Sequence, residues 1–374
     1  MNEKKLGFGL MRLPLINPED NATIDLAQTK EMVDTFIQRG FTYFDTAWMY
    51  HGYTSEAAVK TALVERHPRD SFTLATKLHP RYLESAADRD RIFNEQLEKT
   101  GVTYFDYYLL HSLNVEYNAL FEQYDCFNWL LEKKRQGLVK HIGFSFHDTA
   151  DVLDAVLTAH PEMEFVQLQI NYLDWDSPDV QSRLCYEVAR RHGKPIVVME
   201  PVKGGTLANL PAPAEALLKR IHPDWSPASW AVRFAAGLPG VMMVLSGMSN
   251  RQQLLDNTDY MADCPPLTEE ELAALRQVVA ILRGGNAIPC TGCAYCVDGC
   301  PMGIAIPQCF SLYNDDQREG AEADWTASFT YYDNLIQKTG KAGDCIGCGQ
   351  CVEVCPQHLA IPELLARVAA RFGQ

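Results

Sequence analysis

The chain has 374 residues, with 33 Lys and Arg against 48 Asp and Glu, 12 cysteines and a formal charge of −15. That length exceeds what one hydrophobic core usually supports, so a large domain followed by a small one is expected; the acidic balance argues against a nucleic-acid partner, whose binding rests on clustered cations. Met1–Leu15 has no apolar run behind a basic start, and no stretch reaches the ~20 apolar residues of a membrane span, so a cytoplasmic protein without membrane contact is expected, and its cysteines need an explanation other than disulfides.

From residue 4 to 260, β-rich runs alternate with helical patterns. Strands are read at Lys4–Gly9, Phe41–Asp45, Phe72–Thr76, Phe105–Leu110, His141–Phe144, Phe165–Ile170, Pro195–Met199 and Val241–Leu245. Helices are read between them at Leu26–Arg39, Glu56–Glu65, Asp88–Lys99, Leu120–Gln136, Thr149–Ala159 and Val180–Arg191. Met32, Val33, Phe36 and Ile37 recur at helical spacing, and Gly40 closes that segment. Eight strand–helix units over this length make one (β/α)8 TIM barrel. A doubly wound sheet would want a glycine-rich turn opening a helix after the first strand, and Gly7-Phe8-Gly9-Leu10-Met11-Arg12 lacks its third glycine.

Thr268 and Glu271 form a capping-box pattern for a last helix that runs to about Arg283, and Gly284-Gly285 breaks it. The barrel is therefore assigned to residues 1–283 and a small, mostly helical domain to 284–374. The small domain holds an internal repeat, Cys290-x2-Cys293-x2-Cys296-x3-Cys300-Pro301 and Cys345-x2-Cys348-x2-Cys351-x3-Cys355-Pro356, separated by a helical spacer that includes Trp325–Ile336. Three thiolates at that spacing wrap a cubane, and in two-cluster ferredoxins the fourth cysteine of each run ligates the other cluster. Cys290, Cys293, Cys296 and Cys355 are thus assigned to one [4Fe–4S] cluster, and Cys345, Cys348, Cys351 and Cys300 to the second. Zinc, which usually takes two separated ligand pairs, suits neither the tight triple nor the following proline. Cys126, Cys185, Cys264 and Cys309 are read as small buried hydrophobes.

Chemistry in a (β/α)8 barrel sits where the strands end. Asp45 and Tyr50 follow the second strand, Lys77 the third, His111 the fourth and Ser145 the fifth; Gln169 and Asn171 end the sixth and Ser246 the eighth. The first four suit hydride transfer to a carbonyl. Tyr50 would protonate the developing alkoxide, with its pKa lowered by Lys77. Asp45 would hold Lys77 charged, and His111 would bond the carbonyl oxygen.

Phe44-Asp45-Thr46-Ala47-x2-Tyr50, Lys77 and Asp106-x3-Leu110-His111 resemble the aldo-keto reductase signature, as do Leu6-Gly7-Phe8-Gly9 and Ser246-Gly247-x5-Gln253-Leu254-x2-Asn257. The chain looks like the subgroup of that family with a fused dicluster ferredoxin. The resemblance implies a nicotinamide site. Gln169 matches the glutamine that contacts the nicotinamide, whereas Ser145-Phe146 replaces the usual Ser-Asn and Met199 replaces a stacking tyrosine. Gly247 and Gln253 stand where basic residues grip the NADP 2′-phosphate. Lys203-Gly204-Gly205 and Ser246-Gly247-Met248-Ser249-Asn250 are loops where barrels bind phosphate. These features, with the mismatch between two-electron hydride and one-electron cluster chemistry, leave flavin (FMN) and NAD(P)H both open as the barrel cofactor.

The leading function is an iron–sulfur oxidoreductase reducing a small carbonyl or conjugated C=C compound, with electrons linked to the clusters and exchanged with a ferredoxin- or flavodoxin-like carrier. An electron-transfer protein with a scaffold barrel, and an ordinary NAD(P)H-dependent reductase with a structural ferredoxin tail, are the alternatives.

Overall fold

The protein is described by a computed structural model covering residues 4–320 and 323–373. Eight parallel strands close into a barrel in chain order: β1 Leu6–Gly9, β2 Tyr43–Asp45, β3 Thr73–Leu78, β4 Phe105–Leu113, β5 Val139–Phe146, β6 Phe165–Gln169, β7 Ile196–Met199 and β8 Val241–Gly247, which pairs back to β1. Alternation along the strands sorts the side chains. Tyr43, Ala75, Leu109, Phe165, Val197 and Leu245 make a buried cluster of their own, while their neighbours Phe44, Leu74, Leu110 and Val166 join a larger cluster with Met32 and Phe36 of the first helix. At Gly143 of β5, an added Cβ would lie 2.4 Å from the Phe165 carbonyl of β6, so only glycine permits that approach.

All eight strands read from sequence are present, with ends shifted by a few residues. Two helical segments differ. The segment read as Leu120–Gln136 is two helices, Val115–Gln123 and Cys126–Arg135, broken at Asp125, whose backbone is left-handed (φ +51°). The Glu56–Glu65 segment begins as Ser55–Val59 and widens into a π-turn over Lys60–Val64. The final barrel helix, Glu269–Gly284, has the expected capping box, with Thr268 and Glu271 bonding reciprocally.

Beyond it, helices Ile306–Gly320, Ala327–Ile336, Gln350–Glu353 and Ile361–Phe372 surround a second core that includes Ile288, Phe310, Tyr332 and Phe372. Val180 of the barrel belongs to that core, so the second core extends onto the barrel. Among the described residues no helix is long and apolar enough to cross a membrane.

Candidate active site and cluster chambers

The period-2 rule carries the barrel's inner layer directly into its site. Two residues beyond Tyr43, Ala75, Leu109, Phe165 and Val197 come Asp45, Lys77, His111, Gln167 and Met199. Lys77 Nζ donates to Asp45 Oδ1 at 2.5 Å and to the Thr46 carbonyl at 2.7 Å, with both side chains buried. Its ammonium lies 4.9 Å from the Tyr50 ring centre, and the Tyr50 and His111 rings meet edge-on at 5.9 Å. The four residues expected to act together are therefore brought together.

Their protonation departs from expectation at one of them. Burial pushes the Tyr50 phenol above its ordinary value, and the Lys77 ammonium only partly offsets this while Asp45 adds to the rise. Tyr50 is held as a neutral phenol, not eased toward the tyrosinate; a desolvated anion costs more than one shared ammonium returns. Burial also pushes up the Asp45 carboxyl, against Lys77. Lys77 stays charged because Asp45 and Tyr50 outweigh the cost of its own burial. Burial drives His111 well below the usual histidine value, with His79 and Lys77 adding, so its imidazole is neutral. Its Nδ1 and Asp45 Oδ2 are buried without partners.

A groove of about 370 Å³ opens above this constellation, with Asp45, Tyr50, Met199, Gly204 and Gly205 in its wall together with Ser246, Gly247, Ser249, Gln253 and Asn257. Gly204 and Gly205 both have positive φ (+62° and +108°), so the pair makes a tight turn as well as a wall. Asn257 donates to Ser246 Oγ at 2.7 Å, and the helix that starts at Arg251 is capped by Asn250, which accepts from the Gln253 N–H. The Gln253 side chain accepts from the Ser249 N–H at 2.7 Å.

Four residues expected around the cofactor lie outside the groove wall. Asn250 is the cap just described. Ser145 is buried and accepts from the Ser112 N–H at 2.8 Å. Gln169 is buried, donates to Asp174 at 2.9 Å and accepts from the Tyr331 hydroxyl at 3.3 Å. Lys203, expected at a phosphate, is fully buried with its ammonium on Asp174 (2.6 Å), Asp315 (3.2 Å) and Glu319 (3.4 Å), the last two from the C-terminal module. Burial opposes its charge, but these carboxylates more than offset that. A lysine beside two glycines reads as a phosphate loop in sequence; nothing local reveals carboxylates 112 and 116 residues away.

Four residues were missed from sequence. Gln167 lines the groove with its buried Oε1 unpartnered, and only its place in the inward alternation could have marked it. Arg12 also lines the groove. Tyr331 and its neighbour Asn334 come from the module helix Ala327–Ile336: Asn334 bridges the Asn114 side chain (3.0 Å) and the His147 carbonyl (2.6 Å), and Tyr331 packs against His147. That helix thus lies against the loops after β4, β5 and β6.

Each cysteine run borrows from the other. One chamber is lined by Cys290, Cys293, Cys296 and Cys355, and a second by Cys345, Cys348, Cys351 and Cys300. All eight are free thiols, and among the described residues no group of three or more His, Cys, Asp or Glu is gathered tightly enough for a single metal ion. Four thiols around each chamber are a donor set that suits a cubane.

Fold and site together define a barrel oxidoreductase with a cysteine-rich module on its C-terminal side. The aldo/keto reductase family model matches residues 5–280, and a 4Fe-4S dicluster domain model matches residues 289–360. The chain belongs to the aldo/keto reductase family and carries a 4Fe-4S dicluster domain. Similar solved structures include an aldo-keto reductase from Bacillus halodurans in its holo form (23% identity, covering 73% of this chain and 91% of that one, TM-score 0.58). Another is an aldo-keto reductase from Klebsiella pneumoniae in complex with NADPH (19% identity, 75% and 96% covered, TM-score 0.57). A search of curated proteins gave no match.

Proposed function

We propose that this chain reduces a small carbonyl compound using a nicotinamide dinucleotide held in the groove, and that the dicluster module completes the barrel's mouth as well as holding two [4Fe–4S] clusters. The observation that carries the reading is the Lys77 ammonium fixed between Asp45 and Tyr50 beneath that groove. The groove suits the dinucleotide: Gln167 Oε1 is a buried acceptor with no partner, matched to an amide N–H, and the Gly204-Gly205 turn leaves room at its wall. Bound there, a reduced nicotinamide supplies a hydride.

The protein's residues then handle the proton. Neutral Tyr50 donates its hydroxyl proton to the oxygen that becomes an alkoxide, and Lys77 stabilises the phenolate left behind. Asp45 keeps Lys77 charged and in place. Neutral His111 donates a ring N–H toward the carbonyl oxygen, fixing its orientation without adding a second cation beside Lys77. On the substrate side, the Ala327–Ile336 helix covers the loops after β4–β6, so Tyr331 and Asn334 position barrel residues from outside the barrel.

Cys290, Cys293, Cys296 and Cys355 would hold one cluster and Cys345, Cys348, Cys351 and Cys300 the other, with residues 284–374 as the module. Nothing found supports FMN in the groove, and it forms no part of this reading. Steady-state turnover of an aldehyde with NADPH and with NADH, using cluster-loaded protein and its Tyr50→Phe variant, tests the proposal: nicotinamide-dependent activity that Tyr50→Phe removes supports it, and equal activity in both contradicts it.

A further inference from the structure

A second cavity, of about 570 Å³, lies between the barrel and the dicluster module and shares no wall residue with the cofactor groove. Its size and its place at a domain junction are those of small-molecule sites. Lys203 divides the two spaces. Its neighbours Val202, Gly204 and Gly205 line the groove, while its ammonium bonds Asp174 and Asp315, which line the cavity.

The cavity's two guanidinium groups keep unused donors. Asp174 is held by Lys203, and Asp315 by Lys203 and Arg318. Arg283, also in the wall, bonds the Leu173 carbonyl at 3.3 Å and has no carboxylate partner among the described residues. Arg318 meets Asp315 and Asn286, yet its Nε is buried without a partner. Guanidinium groups left in this state favour a carboxylate, phosphate or sulfonate. Cys290, Ala294, Val297, Ala305 and Pro307 add an apolar part to the wall. Cys290 and Ala294 also line the first cluster chamber, so one short loop separates the cavity from that chamber.

We infer that this cavity is a second ligand site, for a small amphipathic organic anion whose apolar body lies along the cluster loop and whose anionic group meets Arg283 and Arg318. The site stands on its own geometry and does not depend on the reading of the groove.

The test is a calorimetric titration of the full, cluster-loaded chain with anthraquinone-2-sulfonate, with and without saturating NADPH. One sulfonate binds per chain, NADPH does not displace it, and neutral anthraquinone binds at least about tenfold more weakly. Arg283→Met weakens the sulfonate at least about tenfold, since a charge-assisted contact is of that order. Gln308→Trp, which fills the cavity from the Ile306–Gly320 helix, blocks it. In the reduced protein, electron paramagnetic resonance shifts for the cluster of Cys290, Cys293 and Cys296 and not for the other. Absence of saturable binding, unchanged affinity in Arg283→Met, or competition with NADPH overturns the inference. Arg283 is solvent-exposed and no cluster ligand, so that variant keeps the test decisive if Gln308→Trp loads poorly.

Discussion

Lys203→Met is the perturbation that most sharply probes how the module is joined to the barrel. The Lys203 side chain is 2% exposed and meets one carboxylate from the barrel and two from the module. Removing it leaves Asp174 and Glu319 buried with no cation partner among the described residues, and Asp315 with Arg318 alone. Breaking a buried pair in this way costs about 3–5 kcal/mol, a large share of the roughly 5–15 kcal/mol that separates folded from unfolded protein. At roughly 2–4 °C per kcal/mol for a sizeable domain, and less for a longer chain, the thermal midpoint should fall by about 5–10 °C. Glu319 sets the pH dependence. Burial pushes its carboxyl up to about 7, Lys203 opposing this and Asp174 and Glu200 adding to it. A carboxyl raised in the folded state contributes stability that is complete below its unfolded value and lost as pH rises through its folded value. Without Lys203 that folded value rises further, so the deficit should be larger at pH 8 than at pH 5, where the loss at Asp174, which Lys203 holds below its ordinary value against burial, is already felt. Lys203→Met/Asp315→Asn should regain part of it, because one buried charge is gone. Scanning calorimetry of cluster-loaded protein at both pH values is the assay. A Lys203→Met variant that melts like the parent at pH 8, or whose deficit is equal at both pH values, would refute the reasoning.

Other expectations follow from the site. Tyr50→Phe should lower kcat by roughly 10²–10⁴-fold, the usual range for a lost general acid, with dinucleotide affinity nearly unchanged in a binding titration. Tyr331→Phe removes the 3.3 Å bond to Gln169. A net ~0.5–1.5 kcal/mol should appear as a lower thermal midpoint in scanning calorimetry, while cluster absorbance stays intact. Anaerobically purified protein should contain about eight iron and eight acid-labile sulfide per chain; one zinc without sulfide would contradict the cluster assignment. Cys355→Ser should damage the cluster of Cys290, Cys293 and Cys296, read by cluster-resolved spectroscopy, whereas uncrossed ligation would damage that of Cys345, Cys348 and Cys351.

What was legible in the sequence was local or periodic. The strand alternation that puts Tyr43, Ala75 and Leu109 in the barrel's interior also lifts Asp45, Lys77 and His111 into the site. The two cysteine runs were visible because the spacing within each is a short-range property; their crossing was carried over from two-cluster ferredoxins. What stayed hidden depends on contacts between distant segments. Lys203 has the local look of a phosphate loop, but two of its three partners lie in the module. Tyr331 resembles any core tyrosine of a helical spacer until that helix is placed against β6. The pKa of Tyr50 likewise hinged on depth of burial, which reverses the effect of the lysine beside it. The break at Asp125 escaped notice because the apolar spacing on its two sides is compatible with one continuous helix.

The central claim is that hydride chemistry runs in the barrel at Tyr50. Its most direct test is a single turnover of cluster-loaded protein with 4-nitrobenzaldehyde and 4-deuterated NADPH, in both stereochemical forms, followed by mass spectrometry of the alcohol. The account predicts that one of the two forms places a single deuterium on the carbonyl carbon, and that Tyr50→Phe suppresses the product. Alcohol formed without deuterium from either form, or formed equally well from dithionite-reduced protein lacking any nicotinamide, would contradict it.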